Sequence, residues 1–400
     1  MSNNSRHLEA AQALIPWGTQ TNAKRIVPAM AETQPAFIKR GRGCHIWDLD
    51  DKKYIDFRCA LGPIILGYCN PHVDAAVAAE LKNGTLFSMA SPLELETART
   101  FVEAVPWVEN LRFLKTGGDA NTACLRLARA FTGRDHFISG GYHGYHDAFA
   151  TEWPDAGIPK AVADYTHHIA YNDRASAERL FDRFGPQLAA VIIEPYDWGP
   201  VDGAAYLKFL RQKCDEYGTL LIFDEVLTGF RLAKGGAQEF YGVTPDLAAF
   251  AKAMANGYPI SAFGGRREVM QQLNKTVITT TYAGETLSLA ACRATLNVMQ
   301  NEPVHTHINE MGAMLKDGFS RMIKKHGIPG CSAGVHPAPY IDFEQPTPEE
   351  NLRMQERLFK NLFAEGVYPS DRWFINYAHQ EEDIENTIAA LDRSLAKFTV

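Results

Sequence analysis

Residues 219–226 read "TLLIFDEV" and residues 188–193 read "LAAVII". Each is a short apolar run without polar alternation, the pattern of a strand buried on both faces. Each follows a helical pattern, "ASAERLFDRFG" before the second stretch and "AAYLKFLRQKCDEYG" before the first. Amphipathic helix then apolar strand, repeated, predicts an α/β fold around a mostly parallel sheet. Residues 110–133, "NLRFLKTGGDANTACLRLARAFTG", add another strand, glycine turn and helix. In open α/β sheets ligands sit beyond the carboxyl ends of the strands, so the polar residues just past each run are the ones to read.

Outward from this centre the character changes. Residues 36–57 alternate apolar and polar around "DLDDKK", which predicts an antiparallel hairpin. From about residue 286 onward helical patterns dominate, broken by a short strand, "APYIDFE". The expected organisation is a large domain over 58–290 and a smaller α+β domain from both termini, 1–57 and 291–400. The N-terminus predicts a short amphipathic helix ended by Pro16 and Gly18.

A chain of 400 residues is too long for one ordinary core. Hydrophobic content of 46% and charged content of 22% are those of a soluble globular protein. The net charge of −7 argues against a nucleic-acid or anionic-membrane partner. No run has the apolar length of a membrane helix, and the first residues lack a signal-peptide pattern. The seven cysteines are scattered and none forms Cys-x-x-Cys, so free thiols, no structural zinc and a cytoplasmic location are expected.

One lysine stands out. "FAKAMANGYP", residues 250–259, sets Lys252 among alanines, a methionine and a glycine. It is either a snorkelling surface lysine or one whose lowered pKa frees its amine to form a Schiff base. Asp224 and Glu225 end one strand and Glu194 ends another, as helix caps, structural ion partners or site carboxylates. Thr116, Gly117, Gly118 and Asp119 precede a helix, a phosphate cradle by physics and also a common turn. "GGYHGYHD", residues 140–147, offers Tyr142 as an aromatic for a planar ligand. A rival reading makes a metal site of His143, His146 and Asp147, with His167 or His168. The glycine turn, tyrosine, strand-end aspartate and lysine together meet the needs of pyridoxal 5′-phosphate: a helix N-terminus for phosphate, an aromatic face, a carboxylate for the ring nitrogen, and an amine for the aldehyde.

The stretches "GCHIWDLDDKKYIDF", "GGYHGYHD", "LLIFDEVLTGFR", "GGAQEFYGVTPDLAAFAKAMANGYPISAFGGRREVM", "TYAGETLSLAA" and "AHQEEDIENTIAAL" run in one order across roughly residues 36–395. They resemble the class III pyridoxal-phosphate aminotransferases of fold type I, and among them the glutamate-1-semialdehyde aminomutase group and its aminotransferase relatives. The resemblance implies that Lys252 is the Schiff-base lysine and proton shuttle, and that Asp224 pairs with the pyridinium nitrogen. It implies that Tyr142 stacks on the ring with His143 beside it. Gly117 and Gly118 stand where the family has a Ser-Gly-Thr phosphate turn, so backbone donors and Thr116 carry more of the phosphate. Thr281 matches a threonine that reaches the phosphate from the neighbouring subunit, which implies a homodimer with shared sites.

Departures from the family pattern fall around the substrate. The segment "YPSDRWFINYAH" lacks a glutamate that the aminomutase carries, "YDWG" follows Glu194-Pro195, and Arg58 replaces a small residue. These tilt the expectation to transfer of an amino group from a small-molecule donor to a keto or aldehyde acceptor, with the intramolecular aminomutase as alternative. Arg58, Lys24 and Arg25 are candidates for the donor carboxylate. Trp17, Trp198 and Trp373 complete the expected pocket. A metal-dependent hydrolase and a non-catalytic cofactor-binding protein are the readings from other classes.

Overall fold

The computed structural model describes residues 2–151, 156–196 and 203–398. Its centre is a seven-stranded sheet in the order Asn110–Leu114, Ser261–Gly265, Leu247–Phe250, Leu220–Glu225, Leu188–Ile193, His136–Gly140, Thr166–His168. The five strands from Leu247–Phe250 to Thr166–His168 pair in parallel. Ser261–Gly265 runs antiparallel to both its neighbours. All six residues of Leu188–Ile193 and of Leu220–Glu225 are buried, as unbroken apolar runs in a sheet covered on both faces require.

Helix Gly117–Thr132 shows how the sequence builds one covering layer. Ala120, Cys124, Leu127 and Ala128 form its buried stripe at helical spacing. They join Phe137, Ile192, Ile222 and Ala249 of the sheet in one core cluster. Burying a side chain such as Ile222 or Phe137 contributes about 1.5–3 kcal/mol each. The helix ends at Gly133, whose φ of +68° suits a residue without Cβ.

The contacts divide the chain into residues 71–305 and residues 1–70 with 306–400. The sequence reading puts these seams at 57/58 and 290/291. Helix Thr286–Asn301 falls with the large unit because it packs on helices Pro71–Glu80 and Pro92–Ala104. In the smaller unit Ile38–Arg42, His45–Asp48 and Lys53–Asp56 form an antiparallel meander, and Val367–Tyr368 joins Lys53–Asp56 in parallel. Helix Pro348–Ala364 starts with a capping box between Thr347 and Glu350. It packs on Val367–Tyr368 and on the final helix, Glu381–Ala396.

One turn of this unit is strained. Cys59, Ala60 and Leu61 hold φ of 47°, 55° and 75° in succession, before Gly62 at 103°. Each non-glycine residue there costs roughly 1–2 kcal/mol. Hydrogen bonds from Leu61 N and Gly62 N to Arg58 O close the turn.

Candidate active site

Four strand ends and one helix start of the large unit carry the reactive groups. Asp224 and Glu225 are successive residues of one strand, so their side chains leave on opposite faces. Asp224 is 3% exposed and accepts three hydrogen bonds. Asn121 Nδ2 and His143 Nδ1 each lie 2.7 Å from its Oδ2, and Val226 N lies 3.0 Å from its Oδ1. The donors fix one orientation of the carboxylate. On the other face, Glu225 takes the backbone N–H groups of Ala237 and Gln238 and the Thr228 hydroxyl. Complete burial pushes its carboxyl up to about 7 against those donors. Glu225 therefore anchors a helix start, Ala237–Tyr241, while Asp224 lies on the opposite face of the strand.

Lys252 opens a short turn just past the strand Leu247–Phe250. Its φ is +47°, a strained value for a side-chain-bearing residue and one that clusters at functional sites. Ala253, Met254 and Ala255 beside it are buried. Burial draws the lysine pKa down, Asp224 and Glu194 pull it back up, and Arg231 pushes it down again. Glu194, at the end of Leu188–Ile193, is raised to about 7 by burial and by Asp224, against His143, Lys252 and the Tyr142 N–H. That N–H lies 3.4 Å from Glu194 Oε2. Lys252, Asp224, Glu194 and His143 thus act electrostatically on one another.

At the start of helix Gly117–Thr132, Thr116 and Asp119 cap each other: Asp119 N donates to Thr116 Oγ1 and Thr116 N to Asp119 Oδ2. Ala120 N reaches Thr116 O. Among the described residues this leaves the N–H groups of Gly117 and Gly118 as the donors of the first turn without a partner. A Cβ on Gly117 would strike Val226 at 2.7 Å, and one on Gly144 would meet Gly118 Cα at 3.0 Å. The glycines are there because helix start, strand end and the 140–147 loop approach so closely. Thr116 Oγ1 only accepts in the cap, so its O–H is left to donate to an anion alongside its neighbours' backbone.

A pyridine-based phosphate cofactor fits these residues. His143 Nε2 and Asn121 Oδ1 are buried without partners among the described residues, beside the Asp224 carboxylate. Gly117 and Gly118 offer N–H donors, and Lys252 offers an amine with a depressed pKa. Tyr142 is exposed in this chain, and so is Thr281, in the turn before helix Thr286–Asn301.

The rival metal reading of "GGYHGYHD" finds no geometry. His143 is held by Asp224, His146 Nδ1 lies 2.6 Å from Thr122 Oγ1, and Asp147 is exposed. His167 pairs with His136 and His168 with Thr151. These five do not converge on a common point.

In the small unit, Lys24 and Arg58 line one cavity of about 370 Å³ with Asp56, Tyr68 and Tyr368. Arg58 Nη2 donates to Ala23 O, which ties the strained turn to the segment carrying Lys24. Arg25 and Trp17 are exposed, with the guanidinium 5.8 Å from the indole ring. Trp373, expected as a pocket residue, is 2% exposed and packed on Phe57 and Phe319, a core position that a substrate does not reach. Trp198 lies outside the described residues. Asn121 and Arg231 escape the sequence reading. Asn121 leaves one trace, a polar residue next to Ala120 among buried residues that are otherwise apolar.

The class-III aminotransferase family model matches residues 26–371. The glutamate-1-semialdehyde 2,1-aminomutase of Natranaerobius thermophilus is 34% identical over 99% of this chain and 98% of its own length. The FumI protein of Sphingopyxis sp. MTA144, solved in its PLP internal aldimine form, superposes with a TM-score of 0.92 at 28% identity, over 99% of this chain and 96% of that one. An omega-transaminase from Sphaerobacter thermophilus gives 0.90 at 26% identity, over 100% and 98%.

Proposed function

This chain belongs to the class III aminotransferases, and from that premise we propose that it transfers an amino group from a small-molecule amine donor to a keto or aldehyde acceptor in two half-reactions. The family works with pyridoxal 5′-phosphate, which when bound supplies the electrophilic carbonyl and the electron sink. The observation that carries the site assignment is Lys252, half-buried with a depressed pKa, acted on by the carboxylate of Asp224. In this reading Lys252 holds the carbonyl and then moves the substrate's proton. Asp224, oriented by Asn121 and His143, keeps the ring nitrogen protonated. Gly117 and Gly118 hold the phosphate with their N–H groups, Tyr142 covers one ring face, and Glu194 beside Tyr142 supports that loop.

The substrate reading is that Lys24, Arg25 and Arg58 receive a carboxylate, supported by the cavity that Lys24 and Arg58 line. The working form is a homodimer in which the Thr281 hydroxyl of one copy serves the phosphate of the other. Exposed apolar residues next to that turn support it: Phe87, Met89 and Tyr282. Their segments are joined, since Thr286 N donates to Thr85 O and the Thr286 hydroxyl to Gly84 O. Seven cysteines without a disulfide support a reducing, cytoplasmic location.

An aminomutase is the second reading, favoured by the 34% identical relative of that name. The visible spectrum separates the two. Under transfer, an amine donor bleaches the yellow band and its keto acid accumulates. If glutamate 1-semialdehyde is isomerised to the amino ketone 5-amino-4-oxopentanoate with no donor consumed, the enzyme is an aminomutase.

A further inference from the structure

We propose that Cys44, His45 and Asp383 form a binding site for a thiophilic divalent cation of the zinc class in the small unit. Cys44 Sγ lies 3.2 Å from Asp383 Oδ2 and 3.5 Å from His45 Nδ1. His45 Nε2 lies 3.1 Å from Asp383 Oδ1. Thiolate, imidazole and carboxylate are the donors zinc takes, and its bonds of about 2.0–2.3 Å put neighbouring donors of a tetrahedron about 3.3–3.8 Å apart. The Cys44–Asp383 pair stands near that spacing, and with one nitrogen of His45 the three donor atoms all lie within 4.8 Å of one another. They come from opposite ends of the chain: Cys44 and His45 at the start of the strand His45–Asp48, Asp383 in the first turn of Glu381–Ala396.

Charge favours the assignment. A thiolate and a carboxylate neutralise one divalent ion, with a neutral imidazole as third ligand. Cys44 is 1% exposed, which keeps the thiol shielded, whereas His45 and Asp383 are half-buried and leave a fourth position open to water. Without an ion the thiol donates to Asp383 Oδ2. On binding, the thiol proton passes to solvent and the metal–sulfur bond replaces the S–H bond, with no change of oxidation state. His45 then swings so that one ring nitrogen reaches the ion in place of its two present contacts. Asp383 keeps the Gln380 N–H on Oδ2, 3.0 Å away, which fixes its orientation. Such a site would fasten the N-terminal meander to the final helix.

The test uses chelator-treated holoenzyme carrying Cys69→Ser and Cys331→Ser, which removes the two exposed thiols. Titration with Co²⁺ is expected to raise the red d–d bands of a four-coordinate thiolate site, saturating at one ion per chain. Zn²⁺ then abolishes the bands and raises the melting temperature. His45→Ala, at a half-exposed position, and Cys44→Ser are each expected to remove the bands with circular dichroism unchanged. Absence of the bands in the parent protein, or their survival in the Cys44→Ser, His45→Ala double variant, overturns the proposal and leaves the three residues as a hydrogen-bonded clasp.

Discussion

At Lys252 the backbone is held at φ +47° just past a strand end, between buried alanines in sequence, with the charges of Asp224 and Glu194 acting on its amine. Lys252→Ala removes the amine and relieves nothing in the core. Turnover is expected to fall by at least roughly 10³-fold, with circular dichroism unchanged and no cofactor fixed to the chain by borohydride. Turnover that survives would defeat the Schiff-base reading. Asp224→Ala acts differently, because it strips the acceptor from Asn121 Nδ2 and His143 Nδ1. Each orphaned buried donor costs about 1–3 kcal/mol, and losing the ring-nitrogen partner costs roughly 10²–10³-fold in rate. Urea unfolding and single-turnover bleaching measure the two losses separately. Both residues are legible in the sequence, since a charge that closes a buried apolar run must be paired or put to chemical use. Asn121 is not: its role depends on His143 and Asp224 arriving from 22 and 103 positions away. A single chain read locally carries no sign of such a meeting.

Among the elements, the strands of the large sheet are readable because burial on both faces leaves an unbroken apolar run. The pairing order and the antiparallel Ser261–Gly265 are not, since "ISAFGG" reads the same in either direction. Trp373 misleads because a tryptophan reads alike as pocket wall and as core. Strand end and helix start are coupled through Glu225, and this gives a pH signature. Its folded pKa, raised to about 7, lies above the unfolded value near 4.5. The folded state therefore holds the extra proton between those values, and stability falls as pH rises from about 4.5 through 7. In Glu225→Gln this fall is expected to be shallower, at a fixed cost from setting an amide against the Ala237 and Gln238 N–H groups. Urea midpoints taken at intervals from pH 5 to 8 check it, and identical slopes in the two proteins would refute it. The turn at 59–61 makes a simpler case. Ala60→Gly relieves one left-handed residue, roughly 1–2 kcal/mol, and gives back about 0.5–1 in unfolded-state entropy. A small net gain is expected in urea, and a loss would mean that the Ala60 methyl is a packing contact.

For the whole molecule, both termini build one unit and the middle of the chain builds the other. The large unit offers one more surface to account for. Leu81, Leu86, Phe87, Met89, Val277 and Tyr282 are exposed large apolar residues, and the segment carrying the first four is hydrogen-bonded to Thr286, four residues past Tyr282. Apolar groups exposed together in this way mark a surface that another surface covers. Thr281 sits in the same turn as Tyr282, so covering the patch would carry one copy's hydroxyl toward the other copy. Charges placed there should separate the copies without touching Lys252 or Asp224. Phe87→Glu with Met89→Glu is expected to sediment as a monomer and to bind pyridoxal phosphate more weakly, because the partner's Thr281 is lost. Added Lys252→Ala subunits, which carry an intact Thr281, should not rescue it, since the damaged face cannot dock. A Thr281→Ala variant tests the chemistry apart from assembly: it should stay dimeric and still lose cofactor affinity. If the charged variant remains a dimer, the interface lies elsewhere. If it becomes a monomer with unchanged cofactor affinity, the two sites are not shared.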